Sequence, residues 1–163
     1  MSLVKKIFER RSIRKYKPDP IPDKVLKNIL EAGRLAPSAS NRQPWHFIAV
    51  TDKTLKQQLS QGRWNRFIAD SAVTIVGCGD QKSAPKWYRI DVTIALQNMV
   101  IAAQAQGVGS CWIGDFVEED VKKLLDIPEK YRIIALLSMG YPAEQPKPKN
   151  KKAFEEIVHH DKF

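Results

Sequence analysis

The chain has 163 residues, 43% of them hydrophobic and 28% charged, which is the profile of a soluble globular domain and excludes a disordered, collagenous or membrane-embedded chain. At this length about 70% of the unfolded surface can be buried on folding, so neither disulfides nor a structural metal is required. Its 27 lysines and arginines against 18 acids give a net charge of +9, which raises nucleic acid and acidic membrane surfaces as candidate partners.

The elements follow in chain order. Ser2 is placed to cap a short helix whose Leu3, Val4, Ile7 and Phe8 share one face, ending near Arg10. Tyr16 to Pro22 holds three prolines and cannot be helical, and Asp23 then reads as the N-cap of an amphipathic helix carrying Val25, Leu26, Ile29 and Leu30. Pro37 to Pro44 is a polar loop of turn formers leading into a strand at Trp45 to Val50. A helix is predicted over Thr51 to Gln61 and a buried strand over Ala72 to Cys78. Asp91 to Gln106 is apolar on nearly every side, which implies a central or interfacial helix, and Gly107 stops it. A short strand at Ser110 to Ile113, a helix from Glu118 to Leu125 and a strand at Tyr131 to Met139 complete the series. The last strand's Ile-Ile-Ala-Leu-Leu run reads as buried on both faces.

Helices and strands interleave without a repeat or a linker, so one α/β or α+β domain over residues 1–163 is expected. Gln145 to Asn150 is too rich in proline and lysine to fold on itself, yet Phe154, Ile157, Val158 and Phe163 beyond it need somewhere to pack. An arm that docks on a neighbouring subunit satisfies both facts. Cys78 and Cys111 lie in apolar stretches outside any C-x-x-C spacing, which predicts reduced, buried thiols. With no apolar signal region at Met1 to Glu9 and no run of about 18 uncharged apolar residues, the expected location is the cytoplasm.

The positive charge is unevenly spread. Lys5, Lys6, Arg10, Arg11, Arg14, Lys15 and Lys17 against Glu9 put +6 into the first 17 residues, and Lys147, Lys149, Lys151 and Lys152 add +4. The rest of the chain therefore sums to −1. Two short basic segments suit a phosphate-bearing small molecule better than a duplex, which needs a continuous stripe of cations. No G-x-S-x-G, H-E-x-x-H, Walker loop or EF-hand pattern occurs. Gly77-Cys-Gly79 and Gly107-Val-Gly109 both lack the third glycine of a dinucleotide-binding loop and read as turns. His46, between Trp45 and Phe47, reads as a structural histidine, and His159 and His160 as solvated tail residues. What remains is binding chemistry: the guanidinium forks and hydroxyl of Arg10-Arg11-Ser12-Ile13-Arg14, and the polar loop at Pro37 to Pro44.

In combination the motifs are far more specific. Arg10 to Tyr16 (Arg-Arg-Ser-Ile-Arg-Lys-Tyr), Leu30 to Trp45, Gly107 to Gly114 (Gly-Val-Gly-Ser-Cys-Trp-Ile-Gly) and Met139-Gly-Tyr-Pro142 resemble the signatures of the FMN-dependent nitroreductase family, in that family's order and over nearly the whole chain. The resemblance implies an α+β fold with a central antiparallel-rich mixed sheet flanked by helices. It also implies a homodimer with FMN at the subunit interface, and an arm from about residue 142 to 163 that extends onto the partner. Arg10, Arg11 and Ser12 would hold the FMN phosphate, closed by Lys151 or Lys152, and Arg14 would lie at the N1/C2 side of the ring. Pro37, Ser38, Ala39, Ser40 and Asn41, with Gln43, would contact the flavin from the partner subunit, and the backbone at Ile113 and Gly114 would approach N5. The helix from Asp91 would line the interface. No side-chain acid or base is required, since NADH or NADPH would deliver hydride to N5 and a small electron-poor acceptor, nitroaromatic or quinone, would take it up in a second half-reaction. Trp64, Trp87 and Tyr88 are candidates for the wall or lid of the shared pocket, with ordinary core or interface packing the favoured alternative for each.

Two departures stand out: Lys151 replaces an arginine common in the family, and the stretch from Gly62 to Tyr88 is short, which implies a more open pocket. The rival readings are a flavin-free nucleic-acid-binding module, whose affinity would fall steeply with salt, a flavin-binding protein without turnover, and a specialised flavoenzyme of the same family with a different acceptor.

Overall fold

The computed structural model describes residues 2–163. Helix α1 (Leu3–Glu9) starts as expected, with Ser2 Oγ accepting the Lys5 N–H at 3.3 Å. Its Leu3, Val4, Ile7 and Phe8 are left largely exposed, Ile7 alone of them lining a small pocket with α4, so among the described residues most of the apolar face is uncovered. Helix α2 (Asp23–Arg34) corrects one expectation: Asp23 is its first residue, Pro22 stands at the cap position, and no side chain caps the end. Asp23 still sits in the first turn, where its charge complements the helix dipole.

Strand β1 (Trp45–Val50) is followed by α3 (Lys53–Leu59), shorter than expected because Asp52 caps it, Oδ1 accepting the Leu55 N–H at 2.8 Å. Strand β2 (Val73–Asp80) runs two residues beyond the expected end, because Gly79 pairs with Trp45 and the Asp80 N–H donates to the Pro44 carbonyl at 2.8 Å. Helix α4 (Tyr88–Ala105) starts one turn early, and Gly107, at φ 77°, ends it as a left-handed stop. Strand β3 (Gly109–Ile113), helix α5 (Glu118–Leu124) and strand β4 (Tyr131–Gly140) follow.

The strands form one sheet in the order β1-β2-β4-β3, antiparallel throughout, so the fold is α+β. Its parallel component is confined to a bridge between Ser12 and Ser110. Alternation along the two central strands sends Val73, Ile75, Leu137 and Met139 to the face covered by α4 and α2, and Val76, Ile133 and Leu136 to the face covered by α3 and α5. A β-bulge between Gly77 and Cys78 adjusts the β2–β4 register. At Gly77 a Cβ would stand 2.6 Å from Leu96 Cδ1, so glycine is what lets α4 lie directly on β2. The apolar circumference of α4 is mostly consumed inside the chain, against the sheet on one side and α2 on the other. On the opposite face Glu118 pairs with both arms of Arg132 at 3.0 and 2.8 Å and with buried Lys122 at 3.9 Å.

After β4 the chain bridges back from Pro142 to Tyr16 and continues with little regular structure, apart from a 3-10 turn at Phe154–Glu156. Phe154, Ile157 and Phe163 are exposed. Among the described residues no helix is long and apolar enough to cross a membrane.

Leu96 is wholly buried at the contact of α4 with β2. Leu96→Ala should destabilise the chain by about 2–5 kcal/mol, read as a lower midpoint in urea unfolding with an unchanged slope.

Candidate functional site

The site is built on the edge of β3. The Ser12–Ser110 bridge and the Ile13 N–H, donating to the Ser110 carbonyl at 3.0 Å, lay Arg10 to Arg14 beside that strand as an extended segment. Buried Tyr16 locks it: its hydroxyl donates to the Ile13 carbonyl at 2.6 Å and lies 2.7 Å from Ser138 Oγ. Burial pushes the Tyr16 phenol well above its ordinary range, outweighing the Ser138 hydrogen bond, so it stays a donor. The carboxylate of Glu144 then accepts the Arg14 N–H at 2.6 Å and the Lys15 N–H at 3.1 Å, joining the segment to the start of the tail.

The tail folds back over this segment and encloses a cleft of about 310 Å³. One wall carries Arg10, Arg11, Ser12 and Arg14, and the other carries Lys147, Lys149 and Lys151; none of the lining residues is acidic. Among the described residues none of these six cations is in an ion pair. Such an array, with a hydroxyl at its centre, is what a phosphate dianion requires. Arg11 is partly committed elsewhere, since its Nη1 donates to the carbonyls of Phe8 and Arg10, each at 2.8 Å. The guanidinium of Arg14 lies 5.9 Å above the Phe67 ring, a cation–π contact that holds it near the cleft. Lys152 is exposed outside the lining, so of the two tail lysines anticipated only Lys151 faces the cleft. A larger groove of about 870 Å³ lies between the tail and the N-terminal segment, but Glu9 and Glu144 line it beside Arg11 and Lys17, which makes it the poorer phosphate site.

Ile113 is buried at the end of β3, and beyond it the space at Gly114 is open, with no heavy atom within 4 Å of where a Cβ would stand. Asp115 clamps the neighbouring loop here: its Oδ2 accepts the Trp64 N–H at 2.6 Å and its carbonyl accepts from Asn65 Nδ2 at 2.8 Å. Trp64 is 71% exposed beside this strand end, so the structure leaves it free to wall a pocket. Trp87 is exposed at the start of α4, whereas Tyr88 packs in the core against Gly79 and is unavailable for such a wall. His46 is an exposed residue whose ring packs 4.5 Å from that of Tyr131, and His159 packs 4.3 Å from the ring of Phe163.

The polar loop at Pro37 to Gln43 is not part of the cleft. Its 3-10 turn, Ala39–Asn41, sits at the N-terminal end of α4, where the Ala39 N–H donates to Asp91 Oδ1 at 3.2 Å. Arg10 lies toward the other end, sharing a small pocket with Gln97, Ile101 and Gln104. Asp91 and Ile101 are ten residues apart on a helix, about 15 Å. One chain therefore brings Arg10, Arg11, Ser12, Arg14 and Lys151 together and keeps Pro37, Ser38, Ala39, Ser40, Asn41 and Gln43 apart from them. Sequence reasoning missed Glu144, which carries no local signal, and Asp91, whose signal was an acid in an otherwise apolar helix.

The nitroreductase family profile matches residues 7–65 and 56–141. The chain belongs to the nitroreductase family. As a member of that family it is an oxidoreductase. It is 36% identical over 150 residues, 87% of this chain and 86% of the other, to an Archaeoglobus fulgidus relative named for NADH dehydrogenase or NAD(P)H nitroreductase activity. An FMN-dependent nitroreductase of Clostridium difficile superposes with a TM-score of 0.91 at 31% identity, covering 98% of this chain and 99% of that one. The NADPH:FMN oxidoreductase of Vibrio harveyi complexed with NAD+ superposes with a TM-score of 0.91 at 26% identity, covering 99% of this chain and 77% of that one.

Both cysteines of this nitroreductase-family chain are free and buried. Burial pushes the Cys78 thiol up to about 11, and it raises Cys111 despite Arg14 and the Ser12 hydroxyl nearby. Neither thiol should react with a disulfide reagent in the folded chain at pH 8, and both should react in guanidinium chloride, as counted by released chromophore.

Proposed function

We infer that the chain is an FMN-dependent NAD(P)H:acceptor oxidoreductase that works as a homodimer. The observation that carries this reading is the cleft of six unpaired cations around Ser12. Its donor set fits the terminal phosphate of FMN, and the open space at Gly114, just past the end of β3 and four residues from Ser110, fits the approach of a flat ring. Arg10 and Ser12 would hold the phosphate from the body of the domain and Lys151 from the tail. As a lysine, Lys151 makes a single-point contact where an arginine would make two.

FMN, when bound, supplies the two-electron carrier that takes hydride from NADH or NADPH and hands it to an acceptor. The residues provide the setting. The Arg14 guanidinium, held by its backbone bond to Glu144 and its contact with Phe67, would stabilise the negative charge that reduction places at the N1/C2=O edge. The backbone at Ile113 and Gly114 would face N5. No side chain is asked to move a proton. Donor and acceptor would use one open face in turn, with Trp64 at its margin and nitroaromatics or quinones as the acceptor class.

Two features support the dimer. The loop at Pro37 to Gln43 does not line the cleft of its own chain, so it would serve the site of the partner. Two apolar faces also lie uncovered, on α1 at Leu3, Val4, Ile7 and Phe8, and on the arm from about residue 142 at Phe154, Ile157 and Phe163. The convergence of the basic segments on one small cleft speaks for a phosphate ester and against a nucleic-acid surface.

The test is the visible spectrum of the purified chain with and without added FMN, followed by anaerobic NADH or NADPH. Saturable flavin binding and bleaching by the nucleotide are expected. Arg10→Ala should weaken FMN about 10- to 100-fold, the loss of one charge-assisted hydrogen bond. Arg14→Ala should move the flavin midpoint potential to more negative values. A chain that binds no FMN, or binds nucleic acid with a steep salt dependence regardless of FMN, would refute the reading.

A further inference from the structure

Asp91 is only 2% exposed, on a helix whose other buried positions apart from Tyr88 are aliphatic, Val92, Ala95, Leu96, Met99, Val100 and Ala103. One carboxyl oxygen accepts the Ala39 N–H at 3.2 Å, and the other is buried without a hydrogen-bond partner. Its place in the first turn of α4 favours the charge through the helix dipole, but a buried acceptor without a donor costs stability that a similarly sized apolar side chain would not.

The loop it holds is also strained. Ser40, Asn41 and Gln43 adopt φ of 52°, 54° and 49°, a left-handed region that non-glycine residues rarely enter, and here three do so within four positions. The turn is braced internally by the Gln43 N–H to Ser38 Oγ and by the Asn41 N–H to the Ser38 carbonyl, at 2.9 Å each. Neither bond fixes where the turn sits. The loop's exit is held by the Asp80 N–H to the Pro44 carbonyl, and the turn itself is tied to the rest of the chain by the bond from Ala39 to Asp91, which spans 52 residues.

Other buried polar side chains differ. Lys56 donates to the carbonyls of Ser71 and Ala72, Lys122 pairs with Glu118 and Glu129, and Asn65, although its Oδ1 also lacks a partner, ties two loop carbonyls together with its amide. Each joins parts of the fold. Asn65 reaches the segment at Asp115, next to Gly114, whereas Asp91 holds the turn at Ser38 to Gln43.

We propose that Asp91 is a positioning residue: a buried acceptor, maintained against folding stability, that sets the height of the strained turn at Ser38 to Gln43 so that the turn meets flavin. The proposal rests on the FMN reading above. Without an acceptor at position 91 the domain keeps its core, but the turn loses its anchor and the ligand must order it on binding, so affinity falls. This separates Asp91 from a residue that merely stabilises the start of α4, whose loss would lower the stability of the ligand-free chain.

The experiment compares the full-length wild type with Asp91→Ala and Asp91→Asn. It reads the thermal midpoint without FMN, the FMN Kd by flavin fluorescence quenching, and hydrogen exchange at the Ala39 amide. For Asp91→Ala the expected result is an unchanged or higher ligand-free midpoint, faster exchange at Ala39 and a Kd raised by about tenfold or more. Asp91→Asn keeps an oxygen for the Ala39 N–H and should bind within about threefold of wild type. An Asp91→Ala chain that melts lower without ligand or fails to fold would overturn the proposal, as would an unchanged Kd or an asparagine as weak as alanine. Failure of the wild type itself to bind FMN would instead fell the functional reading, and the proposal with it.

Discussion

The burial of α4 between the sheet and α2 is the constraint on which the rest of the molecule depends. It requires glycine at position 77, where any Cβ would strike Leu96, and at position 33, where one would stand 2.1 Å from Met99 Cε. Close packing on two sides makes the helix a rigid ruler. The turn at Ala39 is tied to its first residues, and Arg10 is packed near its second half. The helix positions that hold the turn and Arg10, Asp91 and Ile101, are thus about 15 Å apart along one rigid element.

Electrostatics decides the other half of the architecture. Six cations crowd one cleft without a carboxylate, an arrangement that self-repulsion disfavours unless an anion completes it. The nearest acid, Glu144, spends its carboxylate on the backbone amides of Arg14 and Lys15, which holds the segment in place while leaving the guanidinium free. The same chain places its charge very differently on the far face, where Glu118, Arg132 and buried Lys122 pair with one another and draw Glu118 below the usual carboxylate range, its hydrogen bonds outweighing the opposing effect of burial. Paired charge there supports the fold, and unpaired charge at the cleft supports binding.

Local costs gather in the same places. Among the described residues, three of the five left-handed non-glycine residues, one of the two buried acceptors without a donor, an open space at Gly114 and an exposed Trp64 fall at segments proposed to meet the ligand, while Asp126 and Asp161 turn the chain elsewhere. The core around Ile75, Leu96, Met99 and Leu137 shows none of them. Stability and function are therefore spatially separated, as expected where strain persists only because surrounding structure enforces it.

Most elements were legible in the sequence because they rest on local chemistry: Ser2 as the acceptor ahead of α1, Gly107 as a helix stop, and apolar runs bounded by turn formers in the strands. The order of the motifs Arg10 to Tyr16, Leu30 to Trp45, Gly107 to Gly114 and Met139 to Pro142 along the chain sufficed to name the family. Boundaries moved where a partner distant in sequence intervened, as when Pro44 and Trp45 prolonged β2, or where the local rule failed, as when Pro22 displaced Asp23 from its cap. The sequence by itself determined most of the elements, the family and the two basic segments. Tertiary structure alone decided that Lys151 and not Lys152 faces the cleft, that Tyr88 belongs to the core, and that Asp91 holds Ala39, because each depends on contacts between segments far apart in the chain.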